Sequence, residues 1–288
     1  MKKRFAKIVP IIFFLVCIIG EMNAQVKLFG KVEDLTDFSN KKLMVVLENG
    51  SLIDATIRGA IEKEWIISKY EFCSTDDFEK LKNDDSYYFL VRVNGIFKKE
   101  KEPALEFISL LKGGPKEIKN ISQMPDIITL PLQPINDGSG YILPYIDSYV
   151  KLIQDHVIRI QRNKIAARVG ISWYSNRLDE VRAENVLFGE NDISNELKPN
   201  DVVFLLNNYG KVVDEDEIQK AIEDKASKTL VSICIAPNIS QSGSYCYKML
   251  LSTDTNELYY YRKQKISGRA PRGFLIEDMK KIAVPFSN

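Results

Sequence analysis

The chain has 288 residues, 45% of them hydrophobic and 27% charged, with 40 Lys and Arg against 39 Asp and Glu for a formal net charge of +1. That balance excludes a global cationic bias toward nucleic acid or anionic membrane. A single histidine, His156, excludes multi-histidine zinc or non-haem iron sites within one chain.

The start, "MKKRFAKIVPIIFFLVCIIGEMNAQ", runs from cations through an apolar stretch to small residues. This order predicts a secretory signal peptide over residues 1–24, cleaved after Ala24. The apolar run, Ile8 to Gly20, is about 13 residues, short of the roughly 20 that span a bilayer. A lipoprotein alternative would use Cys17, but bulky "FFLV" precedes it where small residues are wanted. Cleavage leaves a soluble exported chain with 36 cations against 38 anions, near −2.

Residues 25–112 read as an N-terminal α/β domain. Lys42–Leu47 is a buried strand, and Ile53, Ile57, Ala60 and Ile61 form the stripe of a helix covering a sheet. Trp65–Phe72 follows as a strand with Ile66, Tyr70 and Phe72 on one face. Ser74 and Asp77 form a capping box for a short helix to Lys82. "SYYFLVRV" alternates, Asn94-Gly95 signals a hairpin, and "ALEFISLL" is the next strand.

Residues 113–144 hold Pro115, Pro125, Pro131, Pro134 and Pro144, five of the eleven prolines, which predicts an extended linker rather than sheet. Residues 145–288 read as a C-terminal domain, a helix followed by an α/β meander. Ile146, Val150, Ile153, Val157 and Ile160 place a strong helix over Pro144–Lys164. Ala166–Lys198 lacks a pattern, and "PNDVVFLLNNYG" fits a strand or a capped helix equally. Asp214 and Glu217 cap a helix over Glu215–Lys225. Thr229–Ala236, Tyr245–Ser252 and Glu257–Ile266 form an antiparallel meander, and Gly273–Ile282 closes the chain as a helix. The fold class is therefore mixed α/β (α+β), two domains, each a mixed or antiparallel sheet covered by helices. "GAIEKEWIISKYEF" and "KAIEDKASKTLVSICI" share Ala-Ile-Glu on a helix leading into a strand, a faint echo that a duplication would explain.

Catalytic signatures are absent: no Cys-x-x-Cys, no HExxH, no G-x-S-x-G and no phosphate loop. The residues therefore imply no cofactor and no metal. His156 sits at the edge of the helix stripe, where a core histidine is the plain reading and a Cys73–His156 or Cys246–His156 pair the sharper one. Acidic groups such as Asp76, Asp77 and Glu79, Asp84 and Asp85, and Asp214 to Glu217 lie at helix starts or turns, where negative charge suits the dipole. If Ala236 pairs with Ser244 across a hairpin, Cys234 faces Cys246 and a cross-strand disulfide becomes possible. One charge feature remains. Tyr259, Tyr260 and Tyr261 precede Arg262, Lys263, Lys265, Arg269 and Arg272. That basic-aromatic run suits an envelope protein, a glycan or an anionic lipid headgroup, since export argues against nucleic acid.

The Lys-rich start with "MNA-Q" at the cleavage site resembles exported envelope proteins of Bacteroidota-type bacteria, a group in which many members have no assigned activity. The β-α-β-α-β-β order over residues 42–111 is similar, at fold level, to small α/β domains of bacterial envelope lipoproteins and assembly factors. The resemblance implies a periplasmic or cell-surface setting and transfers no site residue. Together these readings anticipate a non-enzymatic binding or assembly module of the cell envelope. The alternatives are an envelope hydrolase using carboxylates or a Cys–His pair, and a structural subunit of an exported complex.

Overall fold

A computed structural model describes residues 35–95, 104–114, 118–163, 173–175, 177–239 and 242–284. The proposed signal peptide lies outside the described residues. Two five-stranded mixed sheets, with helices packed on them, make a two-domain α+β fold. The first comprises β1 (Lys42–Val46), β2 (Lys69–Cys73), β3 (Tyr87–Gly95), β4 (Leu105–Lys112) and β5 (Asp126–Pro134), in the order β2-β1-β3-β4-β5. The second comprises β6 (Asn185–Gly189), β7 (Gly210–Val213), β8 (Thr229–Ile235), β9 (Tyr245–Ser252) and β10 (Leu258–Lys265), in the order β10-β9-β8-β6-β7.

The two sheets have one topology. In each, the first strand is central among three and pairs in parallel with the second and third, and the fourth and fifth add as an antiparallel meander. α1 (Leu52–Glu64) and α2 (Thr75–Leu81) make the crossovers of the first sheet; α4 (Pro199–Leu205) and α5 (Glu215–Glu223) make those of the second. α3 (Ile146–Arg162) follows β5, and α6 (Ile276–Ile282) follows β10.

This symmetry does not align with the sequence echo. The first echoed segment is α1 leading to β2, the second α5 leading to β8, which are non-equivalent crossovers.

Local signals explain most elements. α1 buries Ile53, Ile57, Ala60 and Ile61, and Ser74 with Asp77 forms the capping box of α2. The Oδ1 of Asp214 accepts from the Glu217 amide at 2.8 Å to open α5. Several expectations change. β2 begins only at Lys69; Trp65 is the C-cap of α1, and Ile66 is 83% exposed. β3 continues through Asn94 and Gly95, which pair with Glu106 and Leu105 instead of turning. "PNDVVFL" is α4, opened by Pro199 in its first turn with Asp201 accepting from the Lys198 amide.

The supposed linker contains β5. Pro131 and Pro134 are tolerated there because β5 is an edge strand, bonded only to β4. α3 likewise belongs with the first sheet, packing on α1 and β5, rather than opening the second domain. Its N-terminal turn also ties the halves together. The Tyr149 hydroxyl donates to the Pro131 carbonyl of β5 at 2.7 Å, and Tyr145 donates to the Ser232 carbonyl of β8 at 2.8 Å. One apolar core runs across both sheets, with Phe107 and Tyr247 meeting edge-to-face at 5.9 Å. A second core lies on the far face of the second sheet, under α4 and α6. No helix among the described residues is long and apolar enough to cross a membrane.

Candidate functional site

In an open α/β sheet, ligands bind beyond the carboxyl ends of the strands where successive crossovers depart in opposite directions. Here that point lies beside β6 and β8, because the chain leaves β6 toward β7 and returns on its other side to β8. The last β6–β8 pair is Leu187 with Val231, and the strands then separate. Two side chains replace the missing ladder bonds. The Gly189 amide donates to Ser232 Oγ at 3.0 Å, and the Cys234 amide donates to Asp192 Oδ1 at 3.0 Å.

Asp192 is the centre of this arrangement. It is 2% exposed and also accepts from the Tyr141 hydroxyl at 2.6 Å and the Ser232 hydroxyl at 2.5 Å. Burial pushes its carboxyl up to about 6, against the opposing pull of those three hydrogen bonds and of Arg272. Its loop is clamped to the segment before α6: the Phe274 amide donates to the Asp192 carbonyl at 2.7 Å, and the Ser194 amide donates to the Phe274 carbonyl at 2.9 Å. Around it opens a crevice of about 720 Å³, inside the range of small-ligand sites. Asp137, Glu190, Glu196 and Glu215 line it with Asp192, opposed by Arg272.

The corresponding point of the first sheet is occupied by protein. Just beyond Leu90, the last β3 residue paired with β1, Arg92 bonds Asp54 at 2.9 Å and Glu106 at 3.1 Å. The Glu48 amide closes the ring by donating to Asp54 at 2.8 Å. One unit fills its crossover point with an ion-pair cluster and the other leaves a crevice.

The sequence-predicted residues are dispersed. Tyr259, Tyr260 and Tyr261 are buried and form no stacking surface. Tyr260 donates to Asp278 at 2.6 Å, while Tyr259 lies under the Arg177 guanidinium at 4.8 Å. Arg262 is committed to Asp278 at 2.6 Å and Glu277 at 3.3 Å. Lys263 stands over the Tyr245 ring at 4.2 Å. Lys265, Arg269 and Arg272 are exposed; Arg272 lines the crevice and Arg269 a smaller hollow beside Glu196 and Glu277.

The hairpin register differs by two residues from the expected one. Cys234 pairs with Lys248, so Cys246 is its diagonal neighbour. The sulfurs nevertheless approach to 3.7 Å as free thiols in a small buried cluster with Ala236 and Ile266. The hydrogen bond to Cys246, together with burial, pushes the Cys234 thiol up. Cys73 is half-buried, and burial raises its thiol to about 11.

His156 is in the core. Its Nδ1 lies 3.4 Å from the Tyr174 hydroxyl, Nε2 has no partner among the described residues, and burial lowers it to about 4. Among the described residues no thiol hydrogen-bonds it, and no group of three His, Cys, Asp or Glu is arranged to hold a metal.

Asp192 carries no local signature. Its partners lie at positions 141, 232 and 234, and the only cue was an acid following a short apolar run that ends in glycine, "NVLFGEND". Compared with protein-family models, curated proteins and solved structures, the chain matches none.

Proposed function

We propose that the chain is an exported, non-enzymatic binding module of the cell envelope, taking an amine-bearing ligand in the crevice beyond β6 and β8. The carrying observation is the open crevice at the crossover point of one unit, where its topological twin is filled by Arg92. Five carboxylates against one guanidinium favour a cationic group and disfavour an anionic headgroup at this place. Three donors from the protein occupy both Asp192 oxygens, which supports a holding role for that carboxylate. The order of cations, apolar residues and small residues over positions 1–24 supports export.

The test is thermal shift and calorimetry on residues 25–288 with spermidine, glucosamine and a lysine peptide, against neutral glucose. Amines raise the melting temperature, and charge reversal at the rim, Glu190→Lys with Glu196→Lys, abolishes the rise. Indifference of the wild-type chain to every amine at millimolar concentration sinks the proposal.

The Asp192 carboxyl, held near 6, favours one second reading, a hydrolase acting through carboxylates. Turnover of a bound amine, lost in Asp192→Asn while binding persists, would establish that reading in place of the first.

A further inference from the structure

A second cavity lies beside α3. It measures about 380 Å³ and runs along that helix, from Lys151 and Asp155 to Arg159 and Arg162. Trp173, Arg177 and Glu257 close it. The cations at its two flanks are already matched: Lys151 bonds Asp155 at 2.6 Å, and Arg177 bonds Glu257 at 2.7 Å and Glu180 at 3.0 Å. Arg159 and Arg162 have no carboxylate partner among the described residues. The Nε of Arg159 is buried and has no acceptor there.

Placement at the C-terminal end of α3 accounts for basic residues, since they complement the helix dipole. It does not account for the other two features. The buried Nε costs free energy on its own account, and neither Arg159 nor Arg162 meets a carboxylate among the described residues that would neutralise it. Trp173 lies against that same guanidinium at 4.3 Å and remains 40% exposed, while Tyr174 backs it at 5.1 Å. The arrangement offers a planar cation to receive an oxyanion and an adjoining indole to receive a ring.

We propose that this groove binds a small carboxylate carried on a ring, with the carboxylate on Arg159 and Arg162 and the ring against Trp173. Guanidinium groups recognise carboxylates through paired N–H donors, and tryptophan stacks either on an aromatic ring or on the C–H face of a sugar. The site is separate from the acidic crevice and does not depend on the proposal made for it.

The chain's two tryptophans make the test direct. Trp65 is buried and donates to Ser68 at 3.1 Å, so a ligand in the groove reports through Trp173. Intrinsic fluorescence is titrated with glucuronate, benzoate, inorganic phosphate and neutral glucose. Saturable quenching by glucuronate alone identifies a sugar acid, and by benzoate alone an aromatic acid; either result supports the groove. Arg162→Gln, at an exposed position, weakens the response at least tenfold. Equal quenching by phosphate overturns the proposal, because charge alone would then explain binding. So does an unresponsive wild-type protein, or an Arg162→Gln variant that binds normally.

Discussion

Gly273 shows how one residue sustains the crevice. It sits at φ +95°, and a Cβ there would come within 2.6 Å of the Ser194 amide nitrogen and 2.7 Å of the Ile193 carbonyl carbon. Only glycine both adopts that backbone and lets the segment before α6 touch the Asp192 loop. Gly273→Ala is expected to cost about 2–3 kcal/mol of unfolding free energy in urea titration. Gly268→Ala, with open space around it, should cost less than about 0.5 kcal/mol. Equal costs would mean that the loop clamp carries no energy. At this scale the sequence was legible where partners are close along the chain, as in the Ser74–Asp77 box and the Asp214 cap. It was silent on Asp192 because that carboxylate meets Tyr141, Ser232 and Cys234 only after the sheet has formed.

At the scale of elements, legibility followed length and period. α1, α3, β4 and the β8–β10 meander showed themselves through repeated apolar spacing. β6 and β7, five and four residues long, did not. A short parallel strand buried on both faces has no alternation to read, and an edge strand of four residues is barely a pattern. Proline content concealed β5 because edge position, unlike sequence, cannot be seen in advance.

β9 also carries a cation that its alternation could not disclose. Lys248 is fully buried and meets Asp278 of α6 and Gln264 of β10, each at 2.5 Å. The partners are unequal. Asp278 also receives Arg262, Tyr260 and the Leu275 amide, whereas Lys248 has no second carboxylate among the described residues. Asp278→Ala therefore strands a buried ammonium and should cost about 3–5 kcal/mol, while Lys248→Met leaves a carboxylate still paired and should cost about 1–2 kcal/mol. Chemical denaturation of both variants decides it. A costlier Lys248→Met would show that the ammonium, not the carboxylate, organises the network.

Over the whole molecule, two buried groups titrate in opposition. His156, lowered to about 4, stays neutral in the folded chain while the unfolded chain takes up a proton near 6.5. Its contribution is intact above pH 6.5 and lost as pH falls toward 4. Asp192, raised to about 6, keeps its proton in the folded chain only up to that pH, so its contribution is complete below 3.8 and lost as pH rises through 6. Each effect is on the order of 3 kcal/mol, and between pH 4 and 6 they offset. His156→Phe should uncouple them. Relative to wild type, its unfolding free energy is expected to gain about 3 kcal/mol between pH 6.5 and 4, measured by urea titration at each pH. A constant difference between the two proteins across that range would rule out a buried neutral histidine. The two-sheet class was readable from composition and periodicity, but the twofold repetition of topology was not. Ala-Ile-Glu recurs on non-equivalent crossovers, and what the halves share is a path of the backbone.

The margins of both sheets have a bearing on how crowded this protein can be. Each outermost strand presents an obstacle to lateral growth: charged Lys69 and Glu71 on β2, prolines on β5, Lys263 and Lys265 on β10, and brevity on β7. Outer strand edges of this kind otherwise invite neighbouring copies to zip together into fibres. Charge guards two of these rims, proline a third and shortness the fourth, so relieving one of them leaves the other three still guarded against stacking of copies.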